Sequence, residues 1–192
     1  GIKEGGMYKN LKLRIASSAY QTIMAESMKW DGMETGTVLV GTQESDGFTV
    51  TDAIGPGPKA KRSWGSFSPD VEYVNTELQK IRAHKPVDFL GVHHLHPGSM
   101  NYPSGGDRIQ AVEMLTDPDY KINAKLLCVI STKNGKSVVI YPYLITKENP
   151  VFKPIKYEII NDLNLSKANR TGNTLSVWAC DMAATKRLAD EL

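Results

Sequence analysis

Two histidines and an aspartate near the middle of the chain have the types and spacing that suit a metal ion. His94 and His96 follow the apolar residues 89–92, which are typical of a buried strand. Because side chains on a strand alternate between its two faces, both imidazoles should point the same way. Ten residues separate His96 from Asp107, enough for the chain to turn and bring back a carboxylate. Zinc accepts these three ligands readily and keeps a fourth position for water.

The other two histidines, His93 and His84, do not need a metal to explain them. His93 alternates with His94 and should face away from the site, so we interpret it as structural. His84 lies beside Lys85 at the exposed end of a predicted helix, where a hydrogen-bonded surface side chain is the simplest interpretation. Packing alone hardly explains two histidines on one face before a Pro-Ser-Gly-Gly-Asp turn. We therefore predict a metal site at His94 and His96.

Ser104 and Asp107 are spaced as a capping box at the start of a helix. This structural role is compatible with a chemical one. A helix N-terminus offers backbone donors and the positive end of the dipole, which would hold a ligand carboxylate and an oxyanion-stabilising hydroxyl in position.

A zinc hydrolase also needs a base for its water, whose pKa zinc lowers toward about 7. Glu34 immediately precedes a predicted buried strand, so it could face the functional edge of the sheet. Without the histidines, a solvated carboxylate at the entrance of a strand would be the better interpretation.

Composition narrows the class of protein. The 192 residues carry a net charge of +2, with 41% hydrophobic and 23% charged residues, which predicts one soluble globular domain and gives no argument for nucleic acid. Cys128 and Cys180 lie too far apart for a thiolate zinc knuckle and suggest no disulfide framework, so a reducing cytosol is the expected compartment. No apolar run approaches the roughly 18 residues of a membrane span. Residues 1–6 resemble an expression remnant.

The predicted elements alternate between strands and helices. Predicted strands cover residues 11–15, 37–41, 48–54, 87–96, 126–130, 137–141 and 155–160. Residues 37–41 and 48–54 should form a hairpin, and Asn134-Gly135 predicts another. Residues 55–67, rich in Gly and Pro, predict a loop or short ribbon that projects from the sheet.

Three helices are expected between these strands, and a fourth near the C-terminus. The first begins with a Ser18–Gln21 capping box, the second with Ser68 as N-cap and Pro69, and the third at Ser104. Their apolar faces are Ala19, Ile23, Met24 and Met28; Val71, Val74, Leu78 and Ile81; Ile109, Val112 and Leu115; and, in a closing helix, Leu175, Trp178, Met182 and Leu188. The fold class is therefore α/β (α+β), a mixed sheet flanked by helices.

The residues singled out above resemble the signature of the JAMM/MPN+ (Mov34/MPN/PAD-like) zinc metalloproteases. That signature is a glutamate, then His-x-His, then ten residues and an aspartate. The resemblance covers roughly residues 11 to 145. It implies a cytidine deaminase-like MPN domain over residues 7–146, with residues 147–192 as a C-terminal extension packed on the same domain.

The resemblance also implies roles for single residues. His94, His96 and Asp107 would hold one zinc ion (Zn²⁺) per chain, with water as the fourth ligand. Glu34 would be the general acid/base, and Ser104 would stabilise the tetrahedral intermediate. Leu95 stands where eukaryotic members often have Ser, which weakens the case for a eukaryotic-type partner, and the compact size resembles that of bacterial members.

Three functions remain open at this point. The first is cleavage after the C-terminal glycine of a ubiquitin-like protein, alongside ubiquitin-activating-like and conjugating-like enzymes in a bacterial conjugation or antiphage system. The second is zinc-dependent hydrolysis of a small or non-ubiquitin peptide substrate, and the third is a non-catalytic MPN scaffold. The basic residues Lys59, Lys61 and Arg62 are expected to form a solvated loop or to meet an acidic partner surface.

Overall fold

The structure is a computed structural model that describes residues 10–120 and 124–165. The remnant expected at residues 1–6 and the closing helix expected around Trp178 lie outside the described residues. No helix of the described part is long and apolar enough to cross a membrane.

One mixed sheet of eight strands carries the fold. Its order is β10-β1-β3-β2-β6-β7-β8-β9, and β4-β5 form a separate two-stranded ribbon. The strands are β1 Lys12–Ala16, β2 Thr35–Glu44, β3 Gly47–Ile54, β4 Lys61–Arg62, β5 Phe67–Ser68, β6 Asp88–Leu95, β7 Lys125–Asn134, β8 Ser137–Thr146, β9 Lys153–Pro154 and β10 Lys156–Ile160. The hairpins predicted at β2–β3 and β7–β8 are confirmed by their antiparallel pairing.

Helices cover both faces of the sheet. They are α1 Ser17–Lys29, α2 Val71–Arg82 and α3 Gly105–Thr116. The largest buried cluster joins α1 to one face, with Ile23 and Met24 against Leu39 and Leu127. On the opposite face, Val74 and Leu78 of α2 pack against Val38 and Val40, while α3 packs beside them against β7 and β8. The mixed sheet flanked by helices is thus confirmed.

Helix α1 is capped differently from the sequence prediction. Its N-cap is Ala16, which makes no side-chain capping hydrogen bond, so the predicted Ser18–Gln21 capping box is wrong. The carboxylate of Asp162 instead accepts hydrogen bonds from Ser17 Oγ at 2.9 Å and from Ser18 N at 3.1 Å. A distant residue therefore satisfies an N-terminal donor of this helix.

Helix α2 begins two residues later than predicted. Asp70, and not Ser68, is the N-cap, because its side chain accepts a hydrogen bond from Tyr73 N. Val71 was expected on the buried stripe but its side chain is 63% exposed. In α3, Ile109 is likewise 64% exposed, whereas the predicted Ser104–Asp107 capping box is present in both directions.

Part of the predicted C-terminal extension belongs to the same sheet. Strand β10 pairs in parallel with β1, and β9 pairs with β8. Ile159 and Ile160 are fully buried, and Ile159 lies in the same cluster as Ile23 of α1. The described end of the chain therefore completes both edges of the sheet.

Candidate metal centre

The pairing of β2 with β6 brings the two distant parts of the candidate site together. The strands are antiparallel, with Thr35 opposite Leu95 and Gly36 opposite His94. Continued by one residue, the same register sets Glu34 level with His96, where both strands end. A Cβ added at Gly36 would lie 2.1 Å from the carbonyl oxygen of His93 and 3.1 Å from Cδ2 of His94. Glycine at this position thus permits the close approach of β2 to the histidine strand.

His94, His96 and Asp107 meet at this strand end and are nearly inaccessible to solvent. Their exposed fractions are 5%, 2% and 8%. Nδ1 of His94 lies 2.7 Å from Oδ1 of Asp107, and Nε2 of His96 lies 3.0 Å from Oδ2. The structure therefore brings the three predicted ligands into direct contact, on the face of the sheet that carries α2 and α3.

The Asp107 carboxylate is held by the start of α3. Its Oδ2 also accepts a hydrogen bond from the Ser104 backbone N–H at 2.7 Å. Burial by itself raises the pKa of Asp107, but the hydrogen bonds from His94, His96 and the Ser104 backbone outweigh it and hold the pKa well below its usual range. The carboxylate is thus ionised, which is the form that binds a metal.

His96 is oriented by a backbone carbonyl. Nδ1 of His96 lies 3.3 Å from the carbonyl oxygen of Met100, and since a carbonyl only accepts, Nδ1 carries the proton in that bond. Nε2 donates to the Asp107 carboxylate in the metal-free chain, and loss of that proton would leave the tautomer whose lone pair lies at Nε2, the form that binds a metal. Burial lowers the pKa of His96, yet the hydrogen bond and charge of Asp107, together with the charge of Glu34, raise it overall.

Glu34 lies half-buried at the entrance of β2, within electrostatic range of the cluster. Burial raises the pKa of Glu34. The charges of His96 and His94 lower this pKa and the charge of Asp107 raises it, so that the pKa lies above its ordinary value overall. Its backbone N–H donates to the carbonyl oxygen of Ser63 at 2.8 Å. A carboxylate with a raised pKa, close to water and to the two histidines, suits general acid/base chemistry.

Ser104 caps α3 through its side chain. Its Oγ accepts a hydrogen bond from Asp107 N at 3.0 Å, which fixes the first turn of α3. Because the hydroxyl is the acceptor in this bond, its own proton can still be donated to another oxygen. The cap and an oxyanion donor can therefore coexist in one side chain.

His93 lies on the other face of β6, as the alternation predicted. It is fully buried, with Nδ1 3.0 Å from Thr37 Oγ1 and Nε2 2.7 Å from Ser131 Oγ. Burial, together with smaller contributions from the neighbouring His94 and His96, lowers the pKa of His93 to about 3. A neutral, hydrogen-bonded imidazole beneath α1 fits the structural role.

The three side chains are of the chemical types that bind zinc. Two imidazoles and a carboxylate are standard zinc ligands, and the carboxylate is ionised. As they stand, however, the nitrogens bond the carboxylate directly, and no group of three or more His, Cys, Asp or Glu side chains within residues 10–120 and 124–165 is arranged to hold a metal. Metal binding would exchange the two His–Asp hydrogen bonds for coordination by the same side chains.

The contacts that surround this cluster were not predicted from the sequence. Phe67 of β5 packs its ring edge-on against His94, with centroids 5.7 Å apart. Arg62 of β4 was expected in a solvated basic cluster, but its side chain is only 12% exposed and pairs with the buried Glu26 at 3.3 Å. That expectation is wrong for Arg62, while Lys59 and Lys61 are exposed. The available signal was Glu26 itself, which falls three residues after Ile23 on the apolar face of α1.

A cavity of about 520 Å³ adjoins the site on the side of α2 and α3. His94 and Phe67 line one end of it, and its walls include the apolar side chains of Val74, Leu78 and Met114. Its size falls in the range of small-ligand pockets.

Comparisons with known proteins agree with this description. The family described as prokaryotic homologs of the JAB domain matches residues 16–141. A protein of Sinorhizobium fredii named probable metalloprotease y4qB is 31% identical over 98 residues, which are 49% of this chain and 60% of that protein, so the match spans less than two thirds of its length. The solution structure of DSY2949 from Desulfitobacterium hafniense superposes with a TM-score of 0.58 at 17% identity, covering 78% of this chain and 93% of that one. At that identity the likeness shows the fold alone.

Proposed function

The chain belongs to the prokaryotic homologs of the JAB domain, and from this premise we propose that it is a zinc-dependent peptidase or isopeptidase. Its substrate in this proposal is a ubiquitin-like protein, cleaved after its C-terminal glycine. The observation that carries the proposal is the contact of His94 and His96 with Asp107 at the end of β6, where the β2–β6 register sets Glu34 level with His96.

His94, His96 and Asp107 would hold the zinc ion. Bound there, zinc would polarise the scissile carbonyl and lower the pKa of the attacking water. The chain supplies the remaining chemistry. The Ser104 backbone N–H donates to the Asp107 carboxylate and holds it at the start of α3, and Nδ1–H of His96 donates to the Met100 carbonyl, which leaves Nε2 for the metal.

Glu34 would move the proton in this reaction. Its carboxylate accepts a proton from the attacking water and delivers it to the leaving amine, so the C–N bond breaks without releasing an amide anion. Ser104 would donate its hydroxyl proton to the developing oxyanion as a hydrogen bond, from a position fixed by the capping box.

The substrate tail is expected to be thin and extended in this proposal. The β4–β5 ribbon offers backbone groups beside Glu34, so an extended tail could add to it as a further strand. Lys59 and Lys61 are exposed at its base and could meet an acidic surface of the partner. Ubiquitin-activating-like and conjugating-like enzymes would then be further partners of the same system.

The cavity beside His94 favours a second candidate, hydrolysis of a small or non-ubiquitin peptide substrate. A glycine tail has no side chain to fill about 520 Å³ of mainly apolar space. A substrate with a bulky apolar group next to the scissile bond would fill it.

Matched cleavage assays separate the candidates. We would incubate the protein, loaded with zinc or stripped with a chelator, with a ubiquitin-like protein fused past its C-terminal glycine and with a short peptide of the same junction. Zinc-dependent cleavage of the fusion alone supports the first function, because only that substrate presents a folded partner. Cleavage of the peptide at an equal rate supports the second.

A third outcome would contradict both. If the chain binds zinc at one ion per chain but cleaves neither substrate under any condition, a non-catalytic scaffold becomes the better account. If it binds no zinc at stoichiometric supply, the ligand assignment itself is wrong.

A further inference from the structure

A buried ion pair outside the candidate site joins three elements that surround Glu34. Glu26 on α1 is only 4% exposed, and its Oε1 accepts hydrogen bonds from Thr35 Oγ1 at 2.7 Å and from Trp30 Nε1 at 3.1 Å. Nη2 of Arg62 lies 3.3 Å from the same oxygen. A buried carboxylate of this kind is tolerated because several donors compensate its lost hydration.

Arg62 makes three kinds of contact through its guanidinium. Nε of Arg62 donates to Thr35 Oγ1 at 3.1 Å, and its Cζ lies 4.1 Å from the centre of the Trp30 ring. The planar group therefore makes an ion pair, a hydrogen bond and a cation–π contact at once, which a lysine could not reproduce. We call these four residues, Glu26, Trp30, Thr35 and Arg62, the clamp.

The clamp is directly continuous with the backbone of Glu34. Thr35 follows Glu34, and Ser63, which follows Arg62, accepts the Glu34 N–H through its carbonyl at 2.8 Å. Arg62 thus fixes the residue after Glu34 through its side chain and the Glu34 amide through the next carbonyl. On the other strand of the ribbon, Phe67 packs against His94.

We propose that the Glu26–Arg62 clamp is a positioning device for Glu34, which sets the distance between that carboxylate and the ligand cluster. This inference rests on the proposed hydrolytic function. Arg62 and Glu26 touch neither a ligand nor the reacting atoms, so they act through the backbone of Glu34 and Thr35. Small displacements of a catalytic group cost much rate: a shift of about 1 Å can lower it by about 10²-fold.

The test compares Arg62→Ala with the surface ion-pair variant Lys80→Ala, which breaks the exposed Lys80–Glu77 pair on α2. We expect Arg62→Ala to lower kcat, measured at saturating substrate, at least tenfold with zinc content nearly unchanged. We also expect faster amide hydrogen exchange at Glu34, because its N–H loses a fixed acceptor. Lys80→Ala should change neither quantity.

Two further variants guard against misfolding. Arg62→Lys keeps the charge and should recover part of kcat, and the double variant Glu26→Gln with Arg62→Met leaves no unpaired buried charge, so it should fold yet remain slow. Unchanged kcat in Arg62→Ala with accelerated Glu34 exchange would reduce the clamp to a purely structural role. Unchanged exchange would overturn the inference outright.

The two proposals can fail separately. If the native chain cleaves no substrate, the hydrolytic function is refuted, while the exchange rate of the Glu34 amide still decides whether the clamp fixes that residue. If the native chain cleaves and the double variant cleaves equally fast, only the clamp is refuted.

Discussion

The backbone N–H of Glu34 donates a 2.8 Å hydrogen bond to the carbonyl oxygen of Ser63. This bond ties the residue proposed as general base to the short β4–β5 ribbon, which the sequence had suggested would project from the sheet. The ribbon instead lies against the start of β2, held by Arg62 on one strand and by Phe67 on the other. The site is therefore built from four separate stretches of the chain: the start of β2, the β4–β5 ribbon, the end of β6 and the start of α3.

Replacement of Glu34 by Gln should abolish cleavage and leave zinc binding intact. The amide keeps the size of the side chain but cannot accept the proton of the water, so we expect kcat to fall by about 10² to 10⁴-fold. Zinc per chain, measured by atomic emission, should equal that of the native protein. Full cleavage by this variant would show that another group is the base.

Substitutions of Ser104 should separate its two roles. Ser104→Ala removes both the cap and the hydroxyl, so we expect about 1 kcal/mol less stability and a fall in kcat of about 10²-fold. Ser104→Gly also lacks the hydroxyl but is a tolerated N-cap, and it should lose as much kcat with only a few tenths of a kcal/mol of stability. Thermal unfolding and kinetics on both variants check this. If Ser104→Gly retained native kcat, the oxyanion role would be wrong.

Zinc affinity should fall as the pH decreases. The pKa of His96 is raised in the metal-free chain, so a proton must leave Nε2 before that nitrogen can bind a metal. Below the raised pKa the apparent affinity should fall about tenfold per pH unit for each proton displaced. Titration against a chelator of known affinity at several pH values measures the slope. A flat profile between pH values about one unit below and above the ordinary histidine pKa would contradict the assignment of His96.

Stability of the metal-free chain should fall in acid because of His93. Its folded pKa, about 3, lies below the unfolded value of 6.5, so between these values the unfolded state binds the extra proton. The free energy of unfolding therefore rises with pH in that window. It decreases by about 1.4 kcal/mol for each unit by which the pH falls from 6.5 toward 3. Urea unfolding of the native chain and of His93→Gln should show a shallower slope for the variant. Parallel slopes would show that His93 does not titrate in this way.

The sequence was most informative where function depends on local spacing. His94, His96 and Asp107 lie within one strand-turn-helix unit, so alternation on a strand and a capping box were enough to predict that they meet. Glu34 became a strong candidate only through the family signature, because its position depends on the register between β2 and β6. Register is a property of two strands and cannot be read from either strand alone.

The interactions that the sequence did not reveal are those between distant elements. The sequence around Ser18 does not predict that Asp162 caps the helix, because the two residues are 144 positions apart. The pairing of Glu26 with Arg62 was hidden for the same reason, and Arg62 therefore looked like part of a solvated basic loop. Val71 was misplaced because it is the first residue of the helix, directly after the N-cap Asp70, whereas the buried residues of the predicted stripe begin one turn later at Val74.

The parallel pairing of β10 with β1 has a consequence for biosynthesis. A ribosome releases Lys12–Ala16 early, yet the strand that lies beside it, Lys156–Ile160, and the carboxylate that caps the following helix emerge more than a hundred residues later. Until then the nascent chain carries an unpaired apolar strand edge, the kind of surface that invites aggregation. Folding of this chain should thus depend on long-range closure, which makes it slow for its size.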